Sequence, residues 1–279
     1  MVEKLFFQRY IVVIMIIVVH NVNFVEGLLA KVIDKTFGIL EAIAVNAPRP
    51  MTPAELAEGL GINRTTCSRL LKILLDSGYV LRVSRQAGYV PGPGILALSN
   101  VADFQGELIS GARPVVERCA QKLGKLVLLA QLYGGRRYII CHKNCDPGQN
   151  IRLRKLAFDD LFATATGLLL LAYCDKAEQK LCYRIQKDNG GEFFPELDDW
   201  ESCSRLLADI RKKGYYACAK DWQWIYAYPV FRNGKFCAAF GVSILKSEHT
   251  PEYDGEIRSY LQSSAESISA AISHSGSIG

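Results

Sequence analysis

Apolar and polar positions along this chain follow two periods, and the changes from one to the other mark out its elements. From Asn63 to Ser77 the apolar residues Cys67, Leu70, Leu71 and Leu74 recur at helical spacing. That spacing predicts a helix with one buried stripe. Thr65, Ser68, Arg69, Lys72 and Asp76 recur in the same way on the opposite side. Asn63 is placed to cap the helix, because its side-chain oxygen accepts from N–H groups that the first turn leaves free. Gly78 is placed to stop it in a left-handed conformation. Upstream, Thr52, Pro53 and Glu55 form a capping-box pattern with proline at the first helical position. A short helix is therefore predicted there, ending at Gly59 and turning at Gly61. Downstream, Tyr79 to Val83 and Gly88 to Val90 are β-like runs joined by residues 84–87, which predicts a hairpin. A short helix, a glycine turn, a second helix and a hairpin make a winged helix-turn-helix.

Beyond the hairpin, Gly94 to Val101 predicts a linker helix. Glu107 to Leu123 predicts a longer one, with Pro114 near the start of its better-formed half. Leu126 to Leu132 and Tyr138 to Cys141 predict strands around the turn at residues 133–136, and Ile151 to Lys155 a further strand. Ala163 to Tyr173 is apolar throughout and reads as a helix with Thr164 or Thr166 near its start. Asp175 to Gln186 and Trp200 to Lys213 also read as helices, the second ended by Gly214. Tyr226 to Phe231 and Phe236 to Leu245 flank Asn233-Gly234, a strong hairpin signal. Glu252 to Ser273 is a closing helix. Helices and strands in this mixed order predict an α+β fold with a central antiparallel sheet in the C-terminal half.

Composition adds little until it is mapped. A chain of 279 residues with 49% hydrophobic and 22% charged residues is an ordinary globular chain of one or two domains. Its net charge of +5 is mild, so placement matters more than total. Between Asn63 and Arg85 there are five basic residues, Arg64, Arg69, Lys72, Arg82 and Arg85, against the single acidic Asp76. Cations on a helix and its hairpin suit phosphates, and short polar side chains suit base edges. The expected contacts to double-stranded DNA are Thr65, Thr66, Ser68 and Arg69 on bases or nearby phosphates. Arg64, Lys72, Arg82 and Arg85 fall on phosphates, and Thr52 and Asn63 sit at the two helix starts. Thr66 lies at the margin of the polar face.

The nine cysteines are scattered with no CxxC pair, which fits a reducing cytoplasm rather than a disulfide framework or zinc ribbon. Ile11 to Val19 is a run of nine apolar residues, too short for a membrane span of about 20 residues. No small-residue cleavage site comes after it. Residues 1–27 are read as an atypical hydrophobic extension, from an over-extended start, an ordered addition or, as the least favoured reading, a membrane or targeting segment, and no membrane partner is expected.

Other chemistries fit the residues less well. Gly92-Pro93-Gly94-Ile95-Leu96-Ala97 fits a dinucleotide fingerprint, but Pro93 removes an N–H from the loop and the flanks are not a βαβ unit. Cys141 and His142 fall on opposite sides of a strand, and with Cys145 they lack a fourth ligand, so no metal is expected. There is no G-x-S-x-G motif, and His249 and His274 sit in polar surroundings. No catalytic residue and no cofactor are expected, and the protein is not read as an enzyme. The acidic run Glu196, Asp198, Asp199 and Glu201 suits a solvated helix start.

The segments VIDKTFGILE (32–41), MTPAELAEGLGINRTTCSRLLKILLDSGYV (51–80) and GYVPGPGILALS (88–99) resemble the IclR family of bacterial transcriptional regulators. In the C-terminal half, FATATGLLLLAY (162–173), DIRKKGYYA (209–217) and YAYPVFRNGKFCAAFGVS (226–243) resemble the same family. The resemblance implies a GAF-like sensor domain behind the winged helix-turn-helix. It divides the chain into an extension at 1–27, a DNA-binding domain at 28–92, a linker helix at 93–106 and an effector-binding domain at 107–279. It also implies a homodimer through the N-terminal and linker helices, or a homotetramer through the sensors, which fits the apolar Ile95, Leu96 and Leu98. There are departures: Phe162 stands for the family's usual His, Leu168 for its usual Lys, and the stretch between Gly214 and Pro229 is short.

The effector site is expected where residues Ala163, Thr164, Ala165 and Thr166 open a helix, since free N–H groups and the macrodipole favour an anion. A small carboxylate is the expected ligand. The segment from Cys218 to Tyr226 is expected opposite, with Asp221 binding a ligand hydroxyl or cation. Tyr138, Trp222, Trp224 and Tyr226 suit a flat acid or serve as core cover. Ser243 resembles a ligand-facing position of the family. No cation partner for the acid is visible in the sequence. The protein is thus read as a ligand-responsive DNA-binding regulator. The alternatives are a constitutive DNA-binding protein with a degenerate sensor and a small-molecule enzyme.

Overall fold

A computed structural model describes residues 31–84, 86–101, 106–147, 156–197 and 199–274. The hydrophobic extension, Arg85, Asp198 and the strand expected at 151–155 lie outside the described residues. The chain divides into two compact units, Met1–Leu98 and Ser99–Gly279.

In the first unit, helix α1 (31–46) precedes α2 (Pro53–Gly59), α3 (Arg64–Asp76), strands β1 (Val80–Ser84) and β2 (Gly88–Pro91), and the first part of α4 (Pro93–Val101), whose last residues belong to the second unit. The capping box is present: the Glu55 N–H donates to Thr52 Oγ1 at 3.2 Å and the Thr52 N–H to Glu55 Oε2 at 2.8 Å. Asn63 caps α3, its Oδ1 accepting from the Thr65 N–H at 2.8 Å. The stripe of Cys67, Leu70, Leu71 and Leu74 is buried with Ile39 and Ile43 of α1, Leu56 of α2 and Val80 of β1. Gly78, with φ of +75°, ends α3. The Gly78 and Tyr79 N–H groups close back on the Leu75 and Leu74 carbonyls at 3.0 and 2.9 Å. β1 and β2 form an antiparallel hairpin, and Met51 adds a bridge to Tyr89 on its other side. Gly88 makes that third contact possible, because a Cβ there would lie 2.2 Å from the Met51 carbonyl oxygen.

The glycines of the false dinucleotide fingerprint serve the same kind of close approach. Gly92 and Gly94 donate their N–H groups to the Tyr79 and Gly78 carbonyls, each at 2.9 Å. A Cβ on Gly92 would lie 2.3 Å from the Gly78 oxygen. The start of α4 is therefore held against the end of α3, backbone to backbone.

The second unit is an α+β sandwich. Its strands are β3 (Leu126–Tyr133), β4 (Arg136–Asn144), β5 (Ala157–Phe158), β6 (Tyr216–Lys220), β7 (Gln223–Arg232) and β8 (Lys235–Leu245). They form one antiparallel sheet in the order β5-β4-β3-β8-β7-β6. Helices α5 (Gly106–Leu123) and α9 (Pro251–His274) cover one face. Helices α6 (Ala165–Ala172), α7 (Lys176–Asp188) and α8 (Trp200–Lys213) cover the other. Alternate side chains of β7 enter the two cores, Ile225 and Ala227 on the α6 side and Tyr226, Tyr228 and Val230 on the α9 side.

Several elements differ from the sequence reading: strand β5 at Ala157–Phe158 is unpredicted, and β4 runs from Arg136 to Asn144 rather than from Tyr138 to Cys141. Helix α6 starts at Ala165 rather than Ala163, because Thr164 is its N-cap. Strand β6 is an addition that no sequence signal predicts. Strand β7 begins at Gln223 instead of Tyr226, because Lys220 pairs with Gln223 across a two-residue turn. That turn puts the non-glycine Asp221 at φ of +48°, so it carries no glycine signal.

The Arg49 guanidinium, donating at 2.8 Å to Glu55 Oε1, and the Thr52 donors lower the Glu55 carboxyl to about 2. A depressed carboxyl stabilises the fold above its unfolded pKa, and that contribution is lost as pH falls through the folded value. Glu55→Ala should lower the stability of the first unit by about 1 kcal/mol at pH 7. The gap to wild type should close between the unfolded value of 4.5 and pH of about 2. Urea unfolding across that range measures it.

Candidate functional site

The polar side of α3 faces solvent. Arg64, Thr65, Ser68, Arg69, Lys72 and Asp76 are all exposed on α3, and Thr66 is half-buried at its margin. Caps at both ends and a buried stripe behind leave the helix no other face to present. Asn63 is exposed, with one side-chain oxygen engaged in its cap. Thr52 is half-buried, and its hydroxyl both accepts from the Glu55 N–H and donates to Glu55 Oε2 at 2.9 Å. Arg82 stands exposed on β1, its guanidinium 5.9 Å from the Tyr89 ring centre. Ile73, which no sequence motif singles out, is an exposed aliphatic residue one turn beyond Arg69.

The second unit has a cavity of about 320 Å³ between the start of α6 and the sheet. Its walls are Thr164, Ala165 and Thr166, the β6–β7 turn with Asp221, and Gly241 to Ser243 of β8. The sequence explains the close seating of α6. A Cβ on Gly241 would lie 2.4 Å from Thr166 Cγ2, and one on Gly167 2.3 Å from the Leu161 carbonyl oxygen. The Thr164 hydroxyl accepts the Gly167 N–H at 3.1 Å, and its carbonyl takes the Leu168 N–H at 3.0 Å. Of the N–H groups that a helix start leaves over, that of Gly167 is met by the cap, while Ala165 and Thr166, whose N–H groups make no bond within the helix, both line the cavity.

Of the expected site residues, Thr164, Ala165, Thr166, Asp221, Tyr226 and Ser243 come together on this wall. Tyr226 does so only along its strand. Its ring belongs to the other face, where its hydroxyl donates to Asp254 Oδ1 at 2.8 Å. Trp222 lines it as well, but four expected residues do not. Trp224 packs on the other face, stacked on His249 at 3.9 Å. Tyr138 is paired with Ala157 at the far edge of the sheet. Ala163 lies one step outside, its carbonyl accepting from Lys220. Cys218 is packed toward the α6–α8 core, where burial raises its thiol pKa.

Two cations that no sequence pattern reveals also line the cavity, and they correct the expectation that none is near. Lys220 Nζ donates to the Ala163 carbonyl at 2.7 Å and lies 4.0 Å from the Glu192 carboxylate. Arg137 is buried and grips Asp160 with two hydrogen bonds, Nε to Oδ1 at 2.8 Å and Nη2 to Oδ2 at 2.5 Å. Its guanidinium also lies 5.0 Å from the Phe158 ring centre. Asp160 neutralises Arg137, so Lys220 is the more available cation. On β4, Cys141 is buried and His142 exposed, on opposite sides as the alternation requires.

Family comparisons cover both units. The model of the IclR helix-turn-helix domain matches residues 32–84, and that of the bacterial transcriptional regulator IclR C-terminal region matches residues 104–270. The HTH-type transcriptional regulator TtgV of Pseudomonas putida is 27% identical over 110 residues, which is 39% of this chain and 41% of TtgV. The match thus spans less than half of that relative. Among solved structures, an IclR transcriptional regulator from Alicyclobacillus acidocaldarius is 24% identical, with a TM-score of 0.64 over 87% of this chain and 98% of its own. An IclR homolog from Microbacterium hydrocarbonoxydans, complexed with 4-hydroxybenzoate, is 19% identical, with a TM-score of 0.66 over 86% and 98%. These likenesses fix the fold.

Asp160→Ala should strip the buried Arg137 of its partner and destabilise the second unit by roughly 3–5 kcal/mol. A drop in the melting temperature of that unit, with the first unit unchanged, would register it.

Proposed function

The chain belongs to the IclR family of bacterial transcriptional regulators, and from that premise we propose a ligand-responsive regulator that binds operator DNA and senses a small organic acid. Residues 28–92 form the DNA-binding domain, 93–106 the linker and 107–279 the effector-binding domain. The α3 helix enters the major groove with Thr65, Thr66, Ser68 and Arg69 toward bases or nearby phosphates. Arg64, Lys72 and Arg82 meet phosphates, and Arg85 joins them by its place in the wing. Thr52 and Asn63, whose side chains cap α2 and α3, set the two helix starts against the backbone. We assign homodimerisation to α1 and α4, where Ile33, Phe37 and Leu98 are exposed. Two copies supply the two half-sites that tight operator binding needs. Operator binding makes the cytoplasm the place of action, and no helix among the described residues is long and apolar enough to cross a membrane.

The observation that carries the sensing role is the coincidence of two open N–H groups at the α6 start with Lys220 across a single cavity. A carboxylate there receives hydrogen bonds from Ala165 and Thr166 and the charge of Lys220, with Asp221 and Ser243 left for a ligand hydroxyl. Leu126, Leu128 and Ile225 give the apolar wall that a flat body needs. 4-Hydroxybenzoate, the ligand of the Microbacterium homolog, has these features and is the first compound to test.

On DNA, Arg69→Ala should weaken operator binding by about 1–3 kcal/mol and relax preference at one position. Equal weakening on all sequences would reduce Arg69 to a phosphate contact. Lys72→Ala should lower the slope of log affinity against log salt by about one unit. For the sensor, a carboxylate ligand at 100 times its dissociation constant should add about 2.7 kcal/mol of stability. Lys220→Ala should weaken that ligand in calorimetry, and Ser243→Ala should weaken a ligand that carries a hydroxyl. If both variants bind it as wild type does, the pocket is elsewhere.

A further inference from the structure

A second cavity, of about 490 Å³, lies in the same unit at the open edge of β7. Strand β6 begins at Tyr216, opposite Ala227, so from Tyr228 onward β7 is strand-paired only to β8 among the described residues. Pro229 suits such an edge because it has no N–H to leave unpaired. The Phe231 N–H is met instead by Ser269 Oγ of α9 at 3.0 Å. The cavity is walled by Tyr228, Pro229 and Phe231 of β7, Lys213 at the end of α8, and Gln262 and Glu266 of α9. Its size is in the range of small-molecule sites, roughly 300–1,000 Å³, and its walls are mostly apolar with a few polar groups.

The charges nearby sort into used and available. Tyr173, which closes one end, is stacked on Phe236 at 4.1 Å and carries the Arg211 guanidinium 4.1 Å from its centre. Tyr215, stacked on Tyr228 at 5.5 Å, has the Arg258 guanidinium 5.0 Å from its centre, and Arg258 Nε is paired with Asp254 at 2.6 Å. Both arginines are thus engaged. Lys213 and Glu266 are the two charged residues of the lining itself, of opposite sign and on different helices, and they form no ion pair with each other. Gln262 Nε2 donates to Glu266 Oε1 at 3.0 Å. That bond leaves the Gln262 carbonyl oxygen and the second Glu266 oxygen as acceptors on neighbouring turns of α9.

We propose that this cavity is a second ligand site, separate from the α6 cavity, for an α-amino acid with an aromatic side chain. The ligand carboxylate pairs with Lys213. Its ammonium donates to Glu266 and to the Gln262 carbonyl. Its ring lies against Tyr228, Pro229 and Phe231. The two charges discriminate a zwitterion from a plain acid or amine, because either of the latter leaves one protein charge opposed by nothing. Both charged side chains are exposed, so affinity is modest and salt-sensitive.

The test is calorimetric titration of the full chain with L-phenylalanine at low ionic strength. Saturable binding of one molecule per chain is expected. 3-Phenylpropionate, which lacks the ammonium, and phenethylamine, which lacks the carboxylate, should each bind at least tenfold more weakly. Lys213→Glu and Glu266→Lys should each lose at least tenfold, and the double exchange should recover part of the loss by letting the ligand reverse. Lys220→Ala, in the other cavity, should leave binding unchanged. The proposal is overturned by an absence of saturable binding, by equal binding of the acid or the amine, by undiminished binding in either single reversal, or by its loss in Lys220→Ala.

Discussion

The two-residue period of the central sheet is the constraint on which the sensor unit depends. Each strand delivers alternate side chains to opposite faces, so neighbouring residues of β7 serve different cores. Ile225 and Ala227 face α6, while Tyr226 and Tyr228 face α9. The α6 cavity can exist because β8 places Gly241 and Ser243 on the same face as Ile225, with the glycine clearing room for Thr166. One slip in register would exchange the two faces and put Phe240 and Val242 where the helix start now sits.

Charge is managed differently in the two units. On α3 the cations are exposed, which suits a partner that supplies negative charge from outside. In the sensor the buried Arg137 is neutralised from within by Asp160. Arg137 thereby becomes part of the frame, and Lys220, held by a carbonyl, a distant carboxylate and the Phe194 ring 5.6 Å away, has no close carboxylate to neutralise it. Two cations on one wall thus have different duties, set by the partner each already has.

The DNA-binding unit is legible in the sequence from α2 to the hairpin because those elements are specified locally, whereas α1 enters only through the family resemblance. Thr52 and Asn63 start helices, Gly78 stops one, and the stripe between them has a single reading. The sensor yields less for physical reasons. Helix α6 is buried all round, so its apolar run carries no face, and only Thr164 as cap reveals where it begins. The β6–β7 hairpin turns at Asp221 without a glycine, which hides β6 entirely. Tyr226 reads as a ligand-facing ring, but its parity along β7 turns that ring to α9, and parity has no meaning until the register is known. Lys220 and Arg137 act through partners 57 and 23 residues away, and no short-range pattern contains such pairs.

The glycine contacts at the end of α3 bear on how regulators of this kind are cut and rejoined. Gly78 and Tyr79 accept from Gly94 and Gly92, so the end of α3, the root of the hairpin and the first turn of α4 are tied backbone to backbone. A junction made at the end of the wing, where the strand pattern stops, would sever that tie and leave the Gly78 and Tyr79 carbonyls to water. Chimeric regulators that graft this reading head onto a foreign sensor are better spliced after Gly94, so that the modular boundary tracks the hydrogen bonds rather than the secondary structure.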